Sequence, residues 1–321
     1  MTTHGDQIFQ FGGVPVASNL GLLPANVFMV ANEGSTKQAW LWWKNKWKKE
    51  KLFTSIETAY AKAVAGRNDV ISLVPDYDGD LDEALVWDKN DTHFIGESLN
   101  PHQPHTDIWQ GAAFTPMLTI SARGSVFANM TIRHGTAAED VIGTLISGRY
   151  NHFENMYWYG PLVDAQDVAG YRGVQITGHE NYFKKCRFGS AALTRDAKNY
   201  NLAVEGQNNV FEDCLFEMAI DGTAPHFVGF AVDSSPEMRM TTFLNCRFVA
   251  YAANWAVTLG AALFCPQSAG NFSGGAYFDS RCQFINVTKI VATNTSADIW
   301  MASVDAAATN VSQIAVKDLG A

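Results

Sequence analysis

The chain of 321 residues is 47% hydrophobic and 17% charged, with 23 Lys and Arg against 32 Asp and Glu and a formal net charge of −9. That composition supplies a large core, and an acidic chain without a basic tract excludes wrapping of duplex nucleic acid, whose affinity rests on neutralised phosphates. No apolar run reaches the ~18 residues of a membrane-spanning helix, and Met1–Asp6 lacks the basic and apolar segments of a secretion signal. These features predict assembly in a reducing cytoplasm. Cys186, Cys214, Cys246, Cys265 and Cys282 form no Cys-x-x-Cys pair, which predicts free thiols, with no metal and no cofactor.

Taken in chain order, residues 1–48 are predicted to form an extended N-terminal arm and an aromatic, basic segment. The arm is apolar and broken by Gly12, Gly13 and Pro15, which excludes a helix. Phe9, Phe11, Val14, Val16, Leu20 and Leu22 are its predicted contact residues. Trp40, Trp42, Trp43 and Trp47 follow among lysines, either as an aromatic docking patch or as a seal on the end of the core. Over residues 53–65, Ile56, Ala59, Tyr60, Ala63 and Val64 recur at helical spacing, with Thr54 or Ser55 as cap and Gly66 as stop. A strand is predicted at Val70–Val74, ended by Pro75, and no later helix is expected.

From there to about residue 300 a repeat dominates. Phe153-Glu154-Asn155-Met156-Tyr157-Trp158, Phe183-Lys184-Lys185-Cys186-Arg187-Phe188, Phe211-Glu212-Asp213-Cys214-Leu215-Phe216 and Phe243-Leu244-Asn245-Cys246-Arg247-Phe248 share the pattern Phe-x-x-[Met/Cys]-x-aromatic. An alternating strand and a Gly/Asn turn precede it. The Met/Cys position recurs at Met130, Met156, Cys186, Cys214, Cys246 and Cys282, in steps of 26, 30, 28, 32 and 36 residues. Strand alternation at this period excludes helical repeats, and a step near 28 suits three short strands and three turns. The predicted fold is therefore all-β, a right-handed parallel β-helix solenoid over residues 49–300 with one capping helix at 53–65. Successive Phe residues would stack about 4.8 Å apart, with the soft Met/Cys positions as a ladder beside them. One of the three turns is expected to absorb the variation in step length. A C-terminal tail, 301–321, completes the chain and could cover the open end.

The helix at Ser55–Ala65, the stretch Asp69-Val70-Ile71-Ser72-Leu73-Val74-Pro75-Asp76-Tyr77 and the first coil Leu85–Gly96 resemble the pectin-lyase-like superfamily of right-handed parallel β-helices. Asp76 stands where that family usually has glycine. With the apolar arm, the manner of the match is similar to β-helix proteins of tailed-bacteriophage virions, either head decorations or tail spikes that cut polysaccharide. The resemblance is specific for fold and weak for function.

No catalytic constellation emerges. Glu154, Lys184 and Glu212 each follow the Phe ladder by one residue and should face outward on adjacent coils, as a solvated acid–base–acid stripe. Together with Asp221 they are the groove candidates if the protein is an enzyme, with Trp87, Trp109, Trp158 or Tyr159 stacking on sugar rings. Asp233 and Glu237 lie in a long inter-repeat segment. His93, His102 and His105 read as surface loop histidines. The expectation is a non-enzymatic virion protein, a capsid decoration or cement protein assembled as a homotrimer and bound through its arms to the major capsid protein or other virion proteins. Neither nucleic acid nor membrane is expected as a partner. The alternative is a tail-associated lyase, hydrolase or carbohydrate-binding protein with a polysaccharide partner.

Overall fold

The computed structural model describes residues 25–32, 51–75, 77–97, 106–110, 115–135, 142–230, 240–252, 257–264, 276–292 and 299–301. The proposed arm contacts at 9–22, Trp40, Trp42, Trp43, Trp47, Asp76, His102, His105, Asp233, Glu237, Cys265 and the tail beyond 301 lie outside them.

The alternating repeat folds as it must when one side of every strand is apolar. Three all-parallel sheets, of eleven, eight and eight strands, wind into a solenoid in which each strand pairs with its counterparts one coil before and after. The first sheet carries His152–Glu154, Tyr182–Lys184 and Val210–Glu212. A two-residue short corner leads to the second sheet, with Tyr157–Tyr159, Arg187–Arg195 and Leu215–Ile220. A long corner leads to the third sheet, with Ile142–Ile146, Arg172–Ile176 and Tyr200–Val204.

Two aromatic stacks fill the interior. Phe127, Phe153, Phe183, Phe211, Phe243 and Phe278 lie over one another from the first sheet, with centroids 4.6–5.0 Å apart and planes within 14°. Trp158, Phe188, Phe216, Phe248 and Phe284 form a second stack from the second sheet. The two meet edge-on, as at Phe183–Phe188 and Phe211–Phe216, both 6.1 Å apart, the arrangement ring quadrupoles favour. Each buried Phe contributes about 1.5–3 kcal/mol from area alone. Met130, Met156, Cys186, Cys214, Cys246 and Cys282 sit buried between the stacks, and the four cysteines are free thiols.

Corner chemistry sets the register. At the short corner Asn129, Asn155, Lys185, Asp213 and Asn245 all adopt positive φ of 52–60°, a conformation Asn and Asp tolerate best. At the third-to-first corner Asn151, Asn181 and Asn209 point inward as a ladder. Asn181 Nδ2 donates to the Gly148 carbonyl (3.0 Å), and Asn181 Oδ1 accepts from Asn151 N (3.0 Å). Backbones approach so closely there that a Cβ on Gly178 would lie 1.8 Å from the Gly148 oxygen; only glycine fits.

Helix α1 spans Ile56–Lys62 rather than 53–65. Ser55 caps it, accepting from Thr58 N (3.3 Å), while Leu52–Phe53 is instead a strand beside Val27–Val30. Val64, predicted on the buried face, is 47% exposed because the chain has already left the helix at Ala63. Tyr60 docks the helix on the first coil: its ring lies 4.3 Å from Trp87 and its hydroxyl accepts from Asp88 N and Lys89 N, both 2.7 Å. Val27–Val30, within the segment 1–48, pairs with Asp69–Leu73. Length variation is not confined to one turn. The long corner absorbs it in the middle coils, but Gly96 and Asp107 are also widely separated at the short corner, as are Phe230 and Thr241 at the third.

Candidate functional site

The inward Phe ladder fixes what its neighbours do. Glu154, Lys184 and Glu212 are register partners on the outward face of the first sheet. Strand spacing puts the Glu154 and Glu212 backbones about 10 Å apart with a lysine between them, beyond the ~5–5.5 Å of a retaining glycosidase pair and close to the upper end of the roughly 6.5–9.5 Å of an inverting one. Each acid already has company. Glu212 accepts a hydrogen bond from the Tyr182 hydroxyl, and Glu154 Oε2 lies 3.6 Å from His152 Nε2. Burial pushes the Tyr182 phenol up, and Glu212 adds to it. Burial pulls His152 down, with Glu154 opposing. Asp221 does not join this stripe. It follows Leu215–Ile220 at the long corner, exposed, where its charge adds to that of Asp167 in raising the Asp196 carboxyl, whose leading cause is a hydrogen bond with Asp167.

The second sheet presents a different surface. Asp107, Thr131, Tyr157, Arg187, Leu215, Arg247 and Gln283 are in register along one outward column, and Trp109, Arg133 and Tyr159 along the next. The Arg133 guanidinium lies 4.7 Å from both the Trp109 and Tyr159 rings, a double cation–π contact. Asp107 anchors it at 2.9 Å, and Trp109 Nε1 donates to Asp78 (2.6 Å). Further along, Arg187 covers the Tyr157 ring at 4.4 Å and pairs with buried Glu217, which also accepts from the Tyr157 hydroxyl (3.0 Å).

Of the four aromatics considered for sugar stacking, Trp109 and Tyr159 are therefore on the surface. Trp87 and Trp158 are not: both lie in the core at 0% and 4% exposure. Trp158 belongs to the second aromatic stack, as its place in the repeat dictates. His93 is not a loop residue either. It is buried in the strand Thr92–Gly96, accepting at Nδ1 from Val126 N (3.1 Å). Among the described residues no group of three His, Cys, Asp or Glu side chains is arranged to hold a metal ion.

Between these two faces, along the short corner, runs an open groove of about 430 Å³. Met156, Cys186, Cys214 and Leu215 are among the residues lining it, with Asn155, Lys185, Asp213, Asn245 and Arg247 along the corner. The sequence carried a usable signal for it. Once Phe153, Phe183 and Phe211 are placed inside and Trp158, Phe188 and Phe216 likewise, Tyr157, Arg187, Leu215 and Arg247 are forced outward in one column.

No protein-family model matches the chain, and no curated protein matches its sequence. Solved structures do match its fold. A pectin methylesterase from Yersinia enterocolitica superposes with a TM-score of 0.52 at 14% identity, covering 78% of this chain and 94% of its own. The pectin methylesterase PemA from Erwinia chrysanthemi gives 0.49 at 14% identity, with 88% and 93% coverage. A tailspike, gp49 of Acinetobacter baumannii bacteriophage Fri1, described as a capsular polysaccharide depolymerase, gives 0.37 at 13% identity, covering 86% of this chain and 56% of its own. The likeness to the Yersinia enzyme, at 14% identity, concerns the fold alone: both chains wind as parallel β-solenoids.

Proposed function

We propose that this chain is a non-enzymatic structural protein of a bacteriophage particle, a rigid β-helix that works through surface buried against its neighbours. The observation that carries the reading is the outward stripe Glu154–Lys184–Glu212. Its two acids are held apart by a cation, with Glu212 hydrogen-bonded by the Tyr182 hydroxyl and Glu154 lying 3.6 Å from His152, rather than facing each other across a cleft. The phage setting is the one the sequence resemblance implies. In its finer form, the terminal segments 1–48 and 301–321 fasten a homotrimer to the head lattice as a decoration or cement protein.

Purified full-length chain, mixed with particles lacking it, should co-sediment with them, and its native mass should be that of a trimer. Failure to bind particles, together with release of new chain ends from acidic polysaccharide that Glu154→Gln or Glu212→Gln abolishes, would overturn the reading in favour of a depolymerase.

A second reading, a carbohydrate-binding β-helix, rests on the Trp109–Arg133–Tyr159 face. It combines planar rings with a fixed guanidinium, the surface chemistry that sugar rings and their substituents meet. Alanine at Trp109 and Tyr159 should then weaken retention on glycan arrays while leaving the fold intact by circular dichroism.

A further inference from the structure

The interior of the solenoid is apolar by repetition, and it departs from that rule at two neighbouring points. Leu118, Thr144, Val174, Leu202, Val228 and Leu263 are register partners along one inward column of the third sheet. Five of them belong to the hydrophobic core, and Thr144, equally buried, is the exception. In the second aromatic stack, Trp158 is followed by Phe188, Phe216, Phe248 and Phe284, and only the indole carries a hydrogen-bond donor. Neither the Thr144 hydroxyl nor Trp158 Nε1 reaches a hydrogen-bond partner among the described residues. Burying such atoms without a partner costs free energy that native folds avoid.

The two exceptions meet. Both line one small cavity beside the long corner, bordered also by Ile132, His134, Gly160 and Tyr171. Gly160 adds no Cβ to that wall, where one would lie 2.9 Å from the Tyr171 hydroxyl. The cavity has a volume of about 10 Å³, which matches the roughly 10–15 Å³ that one water molecule requires and leaves no room for a larger ligand. An apolar cavity of this kind stays dry, whereas one walled by orphaned polar groups holds water.

We infer that this cavity is the binding site of a single water molecule that bridges Trp158 and Thr144. The water oxygen accepts from Trp158 Nε1, and one of its hydrogens goes to Thr144 Oγ1. The second hydrogen faces the Tyr171 hydroxyl oxygen, which meets His134 Nδ1 at 3.1 Å. Three partners are the usual complement of a buried water. The bridge ties the second sheet, through Tyr157–Tyr159, to the third, through Ile142–Ile146. It also joins the apolar stack to the polar side chains of the long corner.

High-resolution crystallography of the full chain should show one ordered water within about 2.7–3.2 Å of both Trp158 Nε1 and Thr144 Oγ1. A direct Trp158–Thr144 hydrogen bond that closes the cavity, or a cavity without solvent density, would overturn the assignment. Chemical denaturation adds a test of sign. Thr144→Val keeps the shape and removes one of the water's partners, so the unfolding equilibrium constant should rise about two- to tenfold, the loss of one hydrogen bond. In a dry cavity the same variant removes an orphaned hydroxyl, so an unchanged or smaller constant would count against the water. Trp158→Phe restores the ring that the following coils carry. Combined with Thr144→Val it removes both anchors at once, and the double variant should lose less than the product of the two single effects. Effects that multiply would mean that the two side chains share no ligand, and the bridge would fall.

Discussion

The short and long corners of the same solenoid solve the problem of turning a coil in opposite ways. At residues 129–130, 155–156, 185–186, 213–214 and 245–246 the short corner repeats one geometry, with a left-handed residue followed by a buried Met or Cys. Behind it the two aromatic stacks run without interruption. The long corner never repeats. It buries Arg195 completely, with its guanidinium on Asn199 and Asn201, and places His134 against Tyr171 and His226 against Tyr200. Repetition allows stability to be distributed over identical rungs, whereas the long corner depends on individual polar partnerships that have no understudy in the next coil.

The largest expected effect tests the repeating side. Phe211→Ala removes a ring stacked on Phe183 and Phe243 at 4.6 and 4.8 Å and should cost about 3–5 kcal/mol in chemical denaturation. If the stacks act as a continuous unit, Phe188→Ala, removing a ring edge-on to it at 5.9 Å, should be non-additive in the double variant.

Acid should expose the long corner next. Burial holds His134 and His226, together with His93, at about pH 4, against 6.5 for an exposed histidine. Each stays neutral in the fold while the unfolded chain takes up a proton, so stability is lost as pH falls from 6.5 toward 4, by several kcal/mol in all. Glu97 runs the other way. Burial pushes its carboxyl up to about 8, so its contribution is present below its unfolded value of about 4.3 and is lost as pH rises to about 8. Glu97→Gln should remove that second slope, leaving only the acid limb in melts scanned over pH.

Arg195→Met keeps volume but leaves the Asn199 and Asn201 side-chain oxygens without the guanidinium. The expected cost is about 1–3 kcal/mol, and a neutral outcome would mean that the long corner repacks as freely as an apolar core. The smallest effect belongs to the short corner. Asn129 holds a φ of 60° and accepts from Asn155 Nδ2 (3.0 Å). Asn129→Ala should cost about 1–2 kcal/mol and Asn129→Gly less.

This contrast also explains what could be read from the sequence. Phe-x-x-[Met/Cys]-x-aromatic names the inward residues directly, and parity then places Glu154, Lys184 and Glu212 outward in register. Trp158 was misassigned to the surface because its aromatic chemistry was weighed apart from its place in that same pattern. The strand Val27–Val30 and the shortened helix α1 depend on a pairing with Asp69–Leu73, a long-range contact that no local periodicity announces. Arg195, Glu217 and the buried histidines were invisible for a related reason. Their partners lie on neighbouring coils at a corner of variable length, so no fixed spacing links them.

The ladder of inward asparagines carries one consequence for kinetics. Asn181 N donates to Asn209 Oδ1 across 28 residues, and Asn151 N to Asn181 Oδ1 across 30, so every rung closes a loop of one coil, however many coils the chain has. The entropy of loop closure grows with loop length rather than chain length. Once two coils have docked, each further coil adds to a finished template at a constant cost, and folding should proceed as growth from a nucleus.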